Sequence, residues 1–187
     1  MRSGGGHAKG SAWEREVGKR LSLWLTNNQR PDIFSRNVLS GGSFTITAQQ
    51  GKMSSRMPGD LMAAHPLAFN FLSKYSIECK HLASLGLEQF IYDSRGSSIL
   101  YQINSLADGQ AQAIGCRYLL IAKQNHKAPL LMCGARTGQL IMDCFTLAAN
   151  NSRRGVIMPR HLIVNRWWFI MALDDFLRIN PDDFLKV

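Results

Sequence analysis

Between Ser11 and Thr26 the apolar residues Trp13, Val17, Leu21, Trp24 and Leu25 recur at helical spacing. That period predicts an amphipathic helix with Ser11 as its N-cap. The pattern stops at "NNQRPD", where a proline cannot continue the helix, and "IFSRNVL" reads as a first strand carrying Arg36. Residues 40 to 58 are rich in Gly, Ser, Gln and basic residues and lack a strong period, which fits a long loop or ribbon of the kind that serves function more often than it fills space. Short strands follow at "DLMAA" and "YSIECKH", separated by a turn containing His65 and Pro66. "SLADGQAQAIGCR" fits a helix, and "YLLIAKQ" and "APLLMCG" fit two further strands divided by "NHK". Beyond Gly134 the pattern loosens. "GQLIMDCFTLAAN" suits either helix or strand, "HLIVNRWWFIMAL" is strand-like, and "DDFLRINPDDF" suggests a closing helical turn. This order of elements predicts an α/β fold with a central mixed sheet flanked by helices. The expected layout is a flexible N-terminus (1–10), a core (11–134) and a C-terminal extension packed on it (135–187).

Composition narrows the class. A chain of 187 residues with 45% hydrophobic content can build one real core, and its most apolar late run, "WWFIMAL", is far too short to cross a bilayer. The glycine-rich start has no continuous apolar core of a secretory signal, so a cytoplasmic location and no membrane partner are expected. Cys79, Cys116, Cys133 and Cys144 contain no C-x-x-C pair and read as reduced, mostly buried thiols rather than a zinc knuckle or disulfide framework.

Charge points to the partner. Twenty-two Lys and Arg against thirteen Asp and Glu give a formal +9, which favours a polyanion because neutralising phosphates releases their counterions. The excess is concentrated before residue 57, and Lys9, Arg15, Lys19, Arg36, Lys52 and Arg56 are the candidate phosphate contacts.

Against that basic background, a few carboxylates sit inside apolar runs, where burial is costly unless their charge is compensated. Within "SIECK", strand alternation puts Glu78 and Lys80 on one face, about 7 Å apart, while Ile77 and Cys79 point into the core. If the strand opened by Asp60 lies beside this one, Asp60 and Glu78 supply the one or two carboxylates that Mg²⁺ takes, with the Cys79 carbonyl available as a further ligand. Lys80 would then handle the attacking water or the phosphate. On its own an E-x-K triplet is a common surface ion pair.

The ordered set is more specific: "KGSAWEREV" on the first helix, Arg36 on a strand, "PGDL", then "IECK". With it the chain resembles the PD-(D/E)XK nuclease superfamily, and within it the archaeal-type Holliday-junction resolvases, over roughly residues 9 to 123. The resemblance implies a restriction-endonuclease-like fold, metal ligation by Asp60 and Glu78, a catalytic Lys80 and an active-site contribution from Glu14. It also implies DNA-phosphate contacts from Arg15 and Arg36. The function so implied is that of an endonuclease using Mg²⁺, with Mn²⁺ able to substitute, selective for branched DNA and acting as a homodimer in a bacterial, archaeal or phage-infected cell. A phage or mobile-element nuclease acting on duplex or single-stranded DNA, and a non-catalytic nucleic-acid-binding module, are the alternatives. Two departures stand out: the insert between Arg36 and Asp60 is long, and Gly59 separates Pro58 from Asp60.

Overall fold

The computed structural model describes residues 5–37, 59–92, 95–151, 159–164 and 167–186. The first helix, α1 (Gly5–Leu25), begins upstream of the expected cap. No proline precedes Ser11, and Ala8 and Lys9 are good helix formers, so Ser11 lies inside the helix and residues 5–10 belong to it. One face of α1 buries Trp13, Val17, Leu21 and Trp24. Two indole N–H groups staple it in place: Trp13 Nε1 donates to the Ile121 carbonyl at 3.1 Å, and Trp24 Nε1 to the Ile179 carbonyl at 2.7 Å.

Two short strands, β1 (Phe34–Arg36) and β2 (Leu61–Ala63), pair antiparallel with Arg36 opposite Leu61. A 3₁₀ turn (Pro66–Ala68) and α2 (Phe69–Leu72) lead into β3 (Tyr75–Leu82). Helices α3 (Leu87–Tyr92) and α4 (Ile99–Gln112) follow. The helix expected near "SLADGQAQAIGCR" thus starts earlier, because Ser98 caps it by accepting from the Tyr101 amide at 3.3 Å, and it stops before Gly115, whose φ is +72°. Strands β4 (Arg117–Gln124) and β5 (Leu130–Gly134) form where the sequence pattern placed them.

The ambiguous "GQLIMDCFTLAAN" is helical, within α5 (Ala135–Asn151). Gly138 explains how that helix lies flat on the sheet: a Cβ there would come within 2.4 Å of Phe169 Cβ. The strand-like stretch after it is two strands, β6 (His161–Val164) and β7 (Trp168–Ala172), and the closing turn is two short helices, α6 (Leu173–Phe176) and α7 (Pro181–Leu185).

The large sheet has the order β3-β4-β5-β7-β6, with β3 and β4 parallel and the remaining pairs antiparallel. β7 inserts between β5 and β6, so residues beyond 135 supply two of its five strands. Ile77, Cys79, Leu119 and Ile121 pack into one apolar cluster with α1 and α5. Leu120 and Ala122 pack into a second with α3 and α4. The fold is therefore a mixed sheet between two helical layers, the restriction-endonuclease-like arrangement expected, with β3 at one sheet edge and β6 at the other. All four cysteines are free, and Cys79, Cys133 and Cys144 are buried. Among the described residues no helix is long and apolar enough to cross a membrane.

Candidate active site

The β1–β2 ribbon lies against the β3 edge, and the chain's departure from the usual aspartate spacing is resolved there. Asn37 and Gly59 are the ends of a 38–58 segment that lies outside the described residues, together with Lys52 and Arg56 and with the expected loop over 40–58. The ends are tied together. The Asn37 amide donates to the Asp60 carbonyl at 2.8 Å, and Asn37 Nδ2 donates to the Gly59 carbonyl at 3.0 Å. Gly59 has φ +104°, and a Cβ on it would stand 2.7 Å from the Ile77 carbonyl oxygen. Only glycine lets the backbone approach β3 that closely in that conformation.

From this turn the Asp60 amide donates to the Ile77 carbonyl at 2.7 Å, and Asp60 Oδ2 accepts from the Cys79 amide at 2.8 Å. Asp60 is 7% exposed. In an extended strand the N–H and C=O of one residue point to the same side, so the Cys79 carbonyl opens on the edge where Asp60 sits. Ile77 and Cys79 turn their side chains into the core, as the alternation required. Glu78 and Lys80 lie on the opposite face, in register with Leu120 and Ala122, and form an ion pair with each other.

Glu14 reaches this region from α1 and is held by Arg36 of β1 in a partly buried ion pair. Arg36 is thereby engaged with a carboxylate, whereas Arg15, Lys19 and Lys9 are exposed on α1. The site thus gathers three carboxylates, Glu14, Asp60 and Glu78, against two paired cations. The electrostatics register the excess. Burial, followed by the charge of Asp60, holds the Glu78 carboxyl above its usual range, with Glu14 adding to the effect and Lys80 opposing it. Burial pushes the Lys80 ammonium down, but Glu78 beside it outweighs that and leaves its pKa raised. Burial and then Asp60 raise the Cys79 thiol well above its normal range, so it is a packing residue rather than a nucleophile.

Two carboxylates, a main-chain carbonyl and a local surplus of negative charge fit a hard divalent cation that keeps its remaining positions for water and phosphate oxygens. No group of three or more His, Cys, Asp or Glu side chains able to hold a metal occurs among the described residues, so this fit rests on Asp60, Glu78 and the strand backbone. Asn37 and Gly59 were not singled out by the sequence. Glycine at position 59 was visible only as an irregularity, and nothing in the spacing marked Asn37.

The linkage has a definite sign. Because the folded-state pKa of Glu78 lies above the ordinary glutamate value of 4.5, in metal-free protein this carboxyl binds more protons folded than unfolded in the window above that value. The Glu78 contribution to stability should therefore fall as pH rises through that window, so Glu78→Gln should gain stability relative to the parent. Thermal melts of both in chelator across pH 4 to 8 measure this, and a difference that stays flat or shrinks as pH rises would contradict it.

A second expectation concerns Gly59. Gly59→Ala should cost roughly 1–3 kcal/mol of stability from backbone strain, read by urea unfolding. Parental stability in that variant would show that the turn does not depend on glycine.

A family model described as "Phage putative PDDEXK endonuclease" matches residues 5–186. No curated protein and no solved structure matches the chain. The match runs from α1 through both sheet edges to α7, and so includes Glu14, Asp60, Glu78 and Lys80 as well as the strands that complete the sheet: the chain belongs to the phage PDDEXK endonuclease family.

Proposed function

We propose that the protein is a divalent-cation-dependent endodeoxyribonuclease, with Asp60, Glu78 and the Cys79 carbonyl holding Mg²⁺ or Mn²⁺ and Lys80 acting on the attacking water or the scissile phosphate. The observation that carries this is the Asp60 clamp on β3, in which the Cys79 amide fixes one carboxylate oxygen while Glu78 and Lys80 are paired on the adjoining stretch of strand. When bound, the cation supplies Lewis acidity toward the phosphate and lowers the pKa of a bound water. The protein's own part is positioning. Asp60 is held by its own amide and by that of Cys79, so its free oxygen has a fixed direction. The Lys80 ammonium is kept charged by Glu78 and can stabilise negative charge that develops on the phosphate. Glu14, anchored by Arg36, adds negative potential that favours a cation.

Two substrate readings use this same site. A junction-selective enzyme would act as a symmetric dimer, since two strands must be cut at related positions. A phage nuclease on linear duplex or single strands needs no such symmetry, and the family match supports this reading equally. A cleavage assay with Mg²⁺ or Mn²⁺ on a four-way junction, linear duplex, single strand and flap separates them. A preference for the junction of tenfold or more supports the first, equal or greater cutting of linear DNA supports the second, and no metal-dependent cutting of any of the four contradicts both.

Phosphate contacts are assigned to the exposed α1 cations. Arg15→Ala or Lys19→Ala should weaken duplex binding across sequences and reduce the salt slope by about one per lost contact. Binding and slope equal to the parent's would place that residue off the DNA path.

A further inference from the structure

The β6 edge carries a second surface that the cleavage site does not use. Of two adjacent tryptophans, Trp168 is 8% exposed and packs against Phe90 and Tyr101, whereas Trp167 is 72% exposed. With Ile163 also exposed on the paired strand, the indole is part of an apolar patch rather than a single scattered side chain. Trp167 is not on a loose tip. Its carbonyl accepts from the Ala135 amide at 2.8 Å, which fixes it beside the first turn of α5 and brings Arg136 close.

Along the same edge Ile163 is 59% exposed, and Arg160 and His161 are exposed at the far end of β6. From the register, His161 lies opposite Met171 and Val164 opposite Trp168, so Arg160 and Trp167 mark the two ends of a strip. At a rise of 3.3 Å per residue the strip is about 17 Å long. Neither Arg136 nor Arg160 has an acidic partner among the described residues. The chain around them is one-sided in charge: between Asp143 and Asp174 there is no acidic residue, while Arg153, Arg154, Arg160 and Arg166 are all present. Arg153, Arg154 and Arg166 lie outside the described residues, whereas Arg136, Arg160 and Trp167 are described and exposed.

An exposed aromatic at one end of a strip that also carries arginines without acidic partners is the chemistry that holds an unpaired nucleic-acid strand: phosphates meet the cations and a base stacks on the indole. We propose that the β6–β7 side of the sheet, through Trp167 and Arg160 with Arg136 of the neighbouring α5, is a binding strip for single-stranded DNA, separate from the cleavage site on β3. Three strand spacings of about 4.8 Å place Trp167, at the start of β7, roughly 14 Å across the sheet from β3, so a base stacked on it is clear of the carboxylates. A stacked base needs an unstacked partner, which excludes intact duplex as the ligand of this strip. A second copy of the chain on the same edge is the rival occupant. Its apolar content, Ile163 and Trp167, suits either, but arginines without acidic partners suit a polyanion and oppose pairing like with like.

The test is a fluorescence-anisotropy titration of an oligothymidylate with the full chain in chelator, so that binding is read without cleavage and independently of the nuclease assignment. Trp167→Ala should weaken binding about 5- to 150-fold, the range of one lost base stack, while Trp167→Phe retains most of it. Arg136→Ala and Arg160→Ala should each reduce the salt slope by about 0.7. Trp167 is exposed and tied by its main chain, so these variants should keep the parental melting temperature, and their rate of duplex cleavage should be unchanged. The proposal is overturned if the parent does not bind the oligonucleotide, if Trp167→Ala binds it as the parent does, or if sedimentation velocity shows Trp167→Ala converting a dimer to a monomer at unchanged oligonucleotide affinity.

Discussion

Asp60→Asn and Glu78→Gln should each lower metal-dependent DNA cleavage by on the order of 10³-fold or more, with folding and DNA binding near parental. The expected size follows from the job assigned to the two carboxylates. A cation that polarises a phosphate is worth several kcal/mol of transition-state stabilisation, and each 1.36 kcal/mol is tenfold in rate. The isosteric amides keep volume and much of the hydrogen bonding, since the side-chain oxygen that remains in Asp60→Asn could still accept from the Cys79 amide, and they remove only the charge. For Glu78 the fold should become slightly more stable, because burial and the charges of Asp60 and Glu14 already oppose its ionised form. Raised stability together with lost cleavage is the signature of a site whose charge serves chemistry rather than folding. Near-parental cutting by either variant would remove that residue from the metal site.

Lys80→Ala should inactivate to a comparable degree, and Lys80→Arg should rescue poorly. The ammonium is a compact point charge on a flexible stem, paired with Glu78 two residues away on the same strand face. A guanidinium is planar and wider and prefers to bind a carboxylate through two parallel hydrogen bonds. In place of Lys80 it would lock onto Glu78 and take up oxygens needed for the cation. Single-turnover cleavage at saturating DNA separates this from weakened binding. An arginine variant as active as the parent would mean that any positive charge suffices there, and that Lys80 does not direct a water or a phosphate oxygen.

The parts of the site written in local spacing were legible in the sequence. Strand alternation alone put Glu78 with Lys80 and sent Ile77 and Cys79 inward, and the packed clusters have that arrangement. The approach of Asp60 to β3 was legible only as a condition, because antiparallel ribbon pairing across a long insert has no local signature. Gly59 and Asn37, which satisfy the condition, act through a positive φ and through main-chain hydrogen bonds. Neither feature has a hydrophobic period. The pairing of Arg36 with Glu14 was likewise hidden, since it joins a strand to a helix residue 22 positions earlier.

At the fold level the early strands were readable from alternation, but the last third was not. α5 carries a glycine that lowers helix propensity yet is required for contact with Phe169, so propensity and packing pulled in opposite directions. β7 is buried and continuously apolar, and its place between β5 and β6 is a long-range pairing that no window of sequence reports. The same limit applied to the tryptophan pair, where only the sheet decides that Trp168 enters the core and Trp167 does not.

The central claim is that a cation held by Asp60 and Glu78 drives phosphodiester hydrolysis. Its most direct test is a Mn²⁺ titration of DNA cleavage run side by side on the parent and Asp60→Asn, with cleavage in chelator as the baseline. The parent should show no cutting in chelator and a saturable rise with Mn²⁺, while Asp60→Asn stays near the baseline across the same range. Cleavage by the parent that persists in chelator, or a variant curve that overlays the parent's, would contradict it.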